Sequence, residues 1–448
     1  MEIKTLLDYE VILANQAQPV CFAIRFDAPE VAQPRPQPAA FCIVLDRSGS
    51  MEGKPLERAK AAAALAVRNL RAGDHFAMVV FDSEAQALVP LQSAARKEEI
   101  LRRIDAISVG GSTNLAGGWS LGRDELKKAP PGCSRRLLLL SDGQLNCGIT
   151  EPEAVKRLAG AGLEAAAVRT SCLGFGSEYN EDLMSAMAQA TGGQFYDADS
   201  PERFGAIFES ELQGLQRLAV QNLRVRLNRL EFCESIQPLG NCPSVRLPDG
   251  RMEYAVGDLV SGETRVLCFQ LDVLPLPWVG GKPVATLEGE RLIEIEALWD
   301  ELGESQLASN HFLQVIRIQA TQNPAEIRLR QEVVPWVAMQ KAGVAFDAAT
   351  RHMDEGNAQA AEILIEQTVA MLKRYGAEKQ VAEAVQQLDN LLFMIRGGEF
   401  SVNERKRSTY RSHSYRKMSS SEQWSLGAAA PSFKKPSPDT PGDQKGNA

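Results

Sequence analysis

One apolar run that ends in an aspartate constrains this chain more than any other feature. Residues 41–50 read FCIVLDRSGS, five apolar residues in a row followed by Asp46, Ser48 and Ser50. A strand that is apolar at every position must be covered on both faces, which is how the strands of a parallel, helix-flanked sheet read. The helix expected from about Lys54 supplies one such cover. Between strand and helix the turn presents one carboxylate and two hydroxyls. That is an all-oxygen, hard donor set of the kind that suits Mg2+.

Two later segments complete the pattern. Gly110-Gly111-Ser112-Thr113-Asn114 is a glycine turn that presents a threonine hydroxyl, and Arg136-Leu-Leu-Leu-Leu-Ser141-Asp142-Gly143 is a second apolar run ending in Asp and Gly. Both apolar runs deliver their Asp at the carboxyl end of a strand, the edge where open α/β sheets form their ligand sites. On these three segments the chain resembles the von Willebrand factor type A (VWA) domain family, and the segments match its metal-ion-dependent adhesion site at all five positions. The resemblance implies that Ser48, Ser50 and Thr113 touch the metal directly, while Asp46 and Asp142 act largely through bound water. It extends through Thr170-Ser-Cys-Leu-Gly-Phe-Gly176, read as the next core strand, and Thr191-Gly-Gly-Gln-Phe-Tyr196. A closing helix is expected over residues 197–212, and the resemblance as a whole covers about residues 40–215.

A site of this kind is expected to bind rather than react. Three hydroxyls and two carboxylates leave a divalent cation with residual positive charge and an open position that an Asp or Glu of another protein can fill. The competing chemistry is metal-assisted hydrolysis or phosphoryl transfer on the same loop. It calls for a positioned base, and the three segments offer Arg47 but no His. The four His, at 75, 311, 352 and 413, include no pair with the spacing of a metalloprotease helix. A third reading, a cell-surface adhesin or channel-associated protein, calls for a signal peptide, paired disulfides or a membrane segment.

Composition bears on that third reading. With 448 residues, 44% apolar and 24% charged, the chain can build two or three cores. Its first ten residues, MEIKTLLDYE, carry charges where a signal peptide has an apolar core. No apolar run reaches the length of a membrane span. The eight cysteines show no Cys-x-x-Cys pair. Cys42, Cys172 and Cys268 fall inside apolar strand patterns as small hydrophobes. Cys233 and Cys242 flank a Pro-Gly turn and could pair under oxidation, and Cys147 follows Asp142 closely. These features suit a reducing cytosol, so a cytoplasmic location is expected.

The remaining chain divides by periodicity. Residues 1–39 show short alternating β patterns and a proline-rich connector, and residues 216–322 show more of the same alternation. Two short strands cannot form a domain alone, so the economical architecture is α/β: a Rossmann-like, doubly wound VWA domain over 40–215, inserted in an antiparallel β-sandwich made by residues 1–39 and 216–322. Residues 323–397 read as about three amphipathic helices divided at Gly356-Asn357 and Tyr375-Gly376, a small bundle. Residues 398–448 mix basic residues with Ser, Tyr and Pro and are expected to be a disordered tail. From Glu404 onward nine Lys or Arg face four Asp or Glu, so a tail of +5 follows a body of −13. Ser408, Thr409, Ser412, Ser414 and Ser419 lie among the basic residues as kinase recognition would want. The acidic body argues against nucleic acid as a partner.

The resulting expectation is a non-enzymatic, metal-dependent adaptor for a protein partner that presents an acidic residue. Intracellular bacterial VWA proteins of this plan resemble adaptors for AAA+ ATPases and for kinase–phosphatase systems. Self-association through an Asp or Glu of a second copy uses the same chemistry, and Mn2+ or Ca2+ fits the same oxygens.

Overall fold

The run that opened the sequence is the centre of a six-stranded sheet. The computed structural model describes residues 1–30, 38–142, 151, 154–155, 157–160, 168–175, 179–198, 203–216, 218–279, 282–283, 289–302, 307–376 and 378–417. Along the chain, β1 (Glu2–Leu7), β2 (Val11–Leu13) and β3 (Gln18–Asp27) precede β4 (Ala39–Asp46). A 3-10 turn (Gly49–Met51) then leads into α1 (Lys54–Asn69), β5 (His75–Phe81), β6 (Ala85–Ser93), α2 (Lys97–Asp105), α3 (Leu115–Lys127), β7 (Ser134–Ser141) and β8 (Val168–Phe175). The unit ends with α4 (Glu181–Thr191), β9 (Phe195–Ala198) and α5 (Phe204–Gln216).

Strand order in this sheet is β6-β5-β4-β7-β8-β9, parallel throughout except for the antiparallel edge strand β6. Every residue of β4 is buried. Phe41, Ile43 and Leu45 face one apolar cluster with α1 and α5, while Ala40, Cys42 and Val44 face another with α3 and α4. The double cover explains why the run shows no alternation. Residue 197 lies in β9, and the closing helix begins at Phe204, later than the sequence suggests. The Tyr179 hydroxyl donates to Asp197 at 2.6 Å, a use of that carboxylate that strand periodicity does not reveal.

The second β region comprises β10 (Leu218–Arg229), β11 (Cys233–Pro238), β12 (Ser244–Arg246), β13 (Met252–Val260), β14 (Thr264–Val273), β15 (Trp278–Val279), β16 (Lys282–Pro283), β17 (Glu290–Leu302) and β18 (Leu307–Thr321). Its strands pair with those that precede β4. One sheet has the order β1-β3-β14-β11, with β3 and β14 in antiparallel register from Gln18↔Val273 to Asp27↔Thr264. The other runs β12-β13-β10-β17-β18-β2, and β2 joins β18 in parallel. Phe22 and Phe26 of β3 share an apolar cluster with Val225 of β10 and Ile295 of β17, so the two sheets bury a common face. Phe22 stacks on Phe269 of β14 with ring centroids 4.9 Å apart.

Helices α6 (Val334–Asp354), α7 (Ala358–Arg374) and α8 (Lys379–Arg396) follow, divided where the sequence places the breaks. The first begins at Val334 because residues 324–326 form a separate 3-10 turn. A fourth helix, α9 (Val402–Lys417), corrects the expectation of disorder from residue 398. Composition forecasts disorder when a segment cannot bury enough apolar area. This segment is instead ordered by charge-assisted hydrogen bonds to groups already fixed in the fold. Ser408 and Ser412 are buried within it, and Ser419 lies outside the described residues.

Cys21, Cys42, Cys133, Cys172, Cys233, Cys242 and Cys268 carry free thiols, and Cys147 lies outside the described residues. Among the described residues no helix is long and apolar enough to cross a membrane.

The turn between α4 and β9 is tight against β8. A Cβ on Gly193 would overlap the backbone carbonyl of Thr170, which the sheet holds in place. Gly193→Ala is expected to destabilise the protein by about 1–3 kcal/mol. The reading is a lower denaturant midpoint at unchanged m value, and a midpoint equal to that of wild type would mean the turn has slack.

Candidate metal centre

Parallel strands bring their carboxyl ends to one edge, and three of them end in aspartate there. Asp46 closes β4, Asp82 follows β5 and Asp142 follows β7. The chain enters β4 at the opposite edge, about 25 Å away for an eight-residue strand.

Asp46 is fully buried. The Ser48 amide donates to its Oδ1 at 2.8 Å and the Ser141 hydroxyl to its Oδ2 at 2.6 Å. Burial holds its carboxyl above the usual carboxylate range, against the pull of those hydrogen bonds. Ser48 and Ser50 lie 3.1 Å apart through their hydroxyl oxygens, and the Ser50 hydroxyl donates to Asp142 Oδ1 at 2.7 Å. Burial pushes Asp142 up to about 6, with the nearby Asp46 charge adding to the effect and the Ser50 hydrogen bond opposing it. Four of the five residues expected from sequence thus form one hydrogen-bonded chain, Asp46–Ser48–Ser50–Asp142.

Thr113, the fifth, is buried in the loop before α3. That loop is tied to the serine turn by two backbone bonds, Gly110 N–H to the Arg47 carbonyl at 2.7 Å and Gly49 N–H to the Gly111 carbonyl at 3.2 Å. Asn114 then caps α3 by accepting from the Gly117 amide at 3.0 Å. Gly110 is required because a Cβ there would overlap the Asp82 carboxylate. The serine turn itself does not cap α1, whose N-cap is Gly53 with no side-chain bond.

Two functional neighbours escaped the sequence reading. Ser141 orients Asp46, and Asp82 pairs with Arg47 at 2.8 Å, turning the only cation of the serine turn away from Asp46. The signal for Asp82 was present, since HFAMVVFD repeats the pattern of an apolar run closed by aspartate.

Among the described residues no group of three or more His, Cys, Asp or Glu could hold a metal. The present donor set is different in kind, two carboxylates and three hydroxyls. Two acids whose carboxyls burial raises, Asp142 further by the charge of Asp46 and Asp46 by that of Asp82, want positive charge, and hard oxygens suit a divalent ion. The residues therefore fit such an ion.

A pH dependence follows for the metal-free protein. The folded-state pKa of Asp142 exceeds its unfolded value, so the native state binds the proton more tightly. Stability is then lost as pH rises from about 4 through about 6. In EDTA at pH 7, Asp142→Asn is expected to be more stable than wild type by about 1 kcal/mol after discounting for solvent. The difference should vanish below pH about 4. Equal stabilities across that range in chemical denaturation would mean that the carboxylate is not strained.

Comparison with known proteins agrees with the fold. Residues 41–210 match the model of the von Willebrand factor type A domain and form such a domain. The protein sll0103 of Synechocystis is 24% identical over 322 residues, 69% of this chain and 73% of that one. Bovine inter-alpha-trypsin inhibitor heavy chain H1 is 27% identical over 188 residues, but these span only 21% of its length. Among solved structures, a von Willebrand factor type A protein from Catenulispora acidiphila aligns with TM-score 0.70 at 15% identity, over 93% of this chain and 96% of that one. The ArnB paralog VWA2 from Sulfolobus acidocaldarius aligns with TM-score 0.62 at 12% identity, over 93% and 98%. At such identities the two structures establish the fold alone.

Proposed function

We propose that Asp46, Ser48, Ser50, Thr113 and Asp142 hold a divalent cation and that the protein is a non-enzymatic adaptor, capturing an Asp or Glu of a protein partner at that site. The observation that carries this reading is the pair of buried carboxylates joined through two serine hydroxyls, with Arg47 engaged by Asp82. Mg2+ is the preferred ion on ligand hardness, and Mn2+ or Ca2+ fits the same oxygens. When bound, the ion supplies residual positive charge and a coordination position that a carboxylate can complete.

The chain's own residues do the rest. Ser141 and the Ser48 amide fix the orientation of Asp46, and Ser50 carries that order to Asp142. The fixed glycine turn brings Thr113 to the same edge. Binding is favoured over hydrolysis because no histidine serves the site as a base. His75 begins β5 at the far edge, His311 pairs with Glu296, His352 with Glu355, and His413 packs on Phe195. In this reading the VWA domain is an insertion in a β-sandwich that presents the metal edge outward. Its partners are sought in the cytoplasm among AAA+ ATPases, kinase–phosphatase systems or second copies of the chain.

The test combines metal binding with partner capture. Wild type should gain thermal stability with Mg2+, and Thr113→Ala and Asp46→Ala should each lose about tenfold or more in Mg2+ affinity, ~1.4 kcal/mol. A pull-down from native lysate should retain a partner with wild type and Mg2+, and lose it with EDTA or with Asp46→Ala. Equal Mg2+ affinity in all three proteins, or the same partners in every condition, would refute the reading.

A further inference from the structure

Helix α9 is largely buried without an aliphatic face. Its sequence, VNERKRSTYRSHSYRK, has six Lys or Arg and no aliphatic residue after Val402, which is exposed. Yet from Glu404 to Lys417 no residue is solvent-exposed. Its apolar contacts include Tyr410 on Phe195 and Tyr415 on Phe346, and a helix with so little apolar surface is not stable alone and forms only where other elements satisfy it.

What satisfies it is a slot between the VWA domain and α6, lined by carboxylates and backbone carbonyls. Arg405 reaches three acids at once, Glu181 and Asp182 in the first turn of α4 and Asp354 at the end of α6, each at 2.6 Å. Lys406 donates to the Tyr179 carbonyl at 2.5 Å, pairs with Glu181 at 3.2 Å and lies 3.4 Å over the Tyr179 ring. Further along, His413 Nε2 accepts the Phe195 amide of edge strand β9 at 3.3 Å, and Lys417 donates to the Gly193 carbonyl at 2.9 Å. Arg416 donates to the Leu239 carbonyl at 2.9 Å, and the Ser408 hydroxyl meets that of Thr350 at 2.7 Å. Contact with α6 is close because Gly343 has no side chain. A Cβ there would meet Arg416 Cγ at 2.6 Å and both the Ser412 carbonyl and Tyr415 Cβ at 3.1 Å.

The fit has features of a reversible contact. It is built on charge and hydrogen bonding rather than on buried aliphatic area. Arg405 sits at the wet end, where Asp182 and Asp354 are 47% and 38% exposed and salt can screen them. His413 Nδ1 is buried with no partner among the described residues. A two-glycine joint, Gly397-Gly398, with Gly398 at φ +69°, connects α9 to α8.

We propose that this slot is a recognition site for a basic, hydroxyl-rich helix, and that α9 is its releasable occupant within the same chain. The slot selects closely spaced Arg and Lys for its carboxylate cluster, small hydroxyl residues against Thr350, and a cation for the Gly193 carbonyl. Docking guards the open amide of Phe195 on the edge of the VWA sheet and straps that sheet to α6.

Hydrogen exchange on the full chain, with a labelled peptide of residues 402–417 added in a second arm, tests this. Three proteins are compared: wild type, Arg405→Ala/Lys406→Ala and Gly343→Ala. Gly343→Ala favours the α6 helix by propensity while wedging α9 out, so it separates release from general unfolding. In wild type, amides of α9 should exchange about tenfold or more faster than those of α7 and α8. Raising salt from about 0.1 to about 1 M should speed them further. Both variants should show the fast α9 exchange at low salt with α6 still protected. The Arg405→Ala/Lys406→Ala protein should also bind the peptide about tenfold tighter than wild type. Gly343→Ala, whose Cβ excludes the peptide as it excludes α9, should not bind it, and an Arg405→Glu peptide should bind none of the three. Exchange of α9 in step with α6 in all three proteins would overturn the proposal, as would an Arg405→Ala/Lys406→Ala protein with a released α9 that leaves the peptide unbound.

Discussion

The pairing of β3 with β14 is the constraint on which the other parts of the molecule depend. Ten residues from one end of the chain lie antiparallel to ten residues more than two hundred positions later, and Phe22 stacks on Phe269 across the join. Loop closure over that distance costs entropy only logarithmically, while each pair of buried strand residues adds apolar area and ladder bonds. Closing the join sends the intervening chain out and back from one place, and a parallel sheet accepts that demand. Its strand β4 begins at Ala39 and carries Asp46 to the opposite edge of that sheet. Arg169 on β8 then pairs with Asp258 on β13 at 3.5 Å, passing over Gly257, where any side chain would collide with it. The VWA domain is thereby tied at its base to β13.

Among the described residues at the carboxyl edge of the VWA sheet, Asp46 and Asp142 have no ion-pair partner, and Arg47 pairs with Asp82. A lysine or arginine beside Asp46 and Asp142 would neutralise them and close the site to ions. The nearest candidate, Arg47, is drawn aside by Asp82, and the space for that carboxylate exists because residue 110 is glycine. Hydroxyls hold the acids without neutralising them. Ser50 donates one hydrogen bond to Asp142 and Ser141 one to Asp46, bonds that order the acids and add no charge. Of the hydroxyls that order the acids, Ser48 and Ser50 are also among the proposed ligands.

Most of this edge was legible in the sequence because its logic is local. An apolar run followed by Asp marks a strand end wherever it occurs, and Asp46 and Asp142 were found in that way. Asp82 carried the same mark, but no hydroxyl turn drew attention to it. Ser141 was invisible because its role depends on β4 and β7 lying side by side, which no single segment states. The closing helix was placed too early because Asp197 reads as a helix start, whereas in the fold it belongs to β9 and accepts a bond from Tyr179. The largest misreading was α9. Rules of composition weigh a segment against water, and against water this one has no reason to fold. Its reason is the carboxylates of Glu181, Asp182 and Asp354, which come from two other parts of the chain.

The slot and the metal edge are not separate regions of the fold. Lys406 holds the Tyr179 ring from one side, and on the other the ring occupies the space that Gly174 leaves empty. Gly174 is the register partner of Ser141, and Ser141 holds Asp46. The packing is therefore continuous from a basic helix on the flank to a carboxylate at the site. Continuity alone is not coupling, which requires an element with two states that both sites bias. In a rigid molecule Tyr179 would be one more buried aromatic. With α9 docked it is pinned between an ammonium and a glycine, and with α9 released it loses the group that pins it. In the proposal above α9 is the element with two states, and Tyr179, Gly174 and Ser141 are the contacts through which its occupancy would reach Asp46.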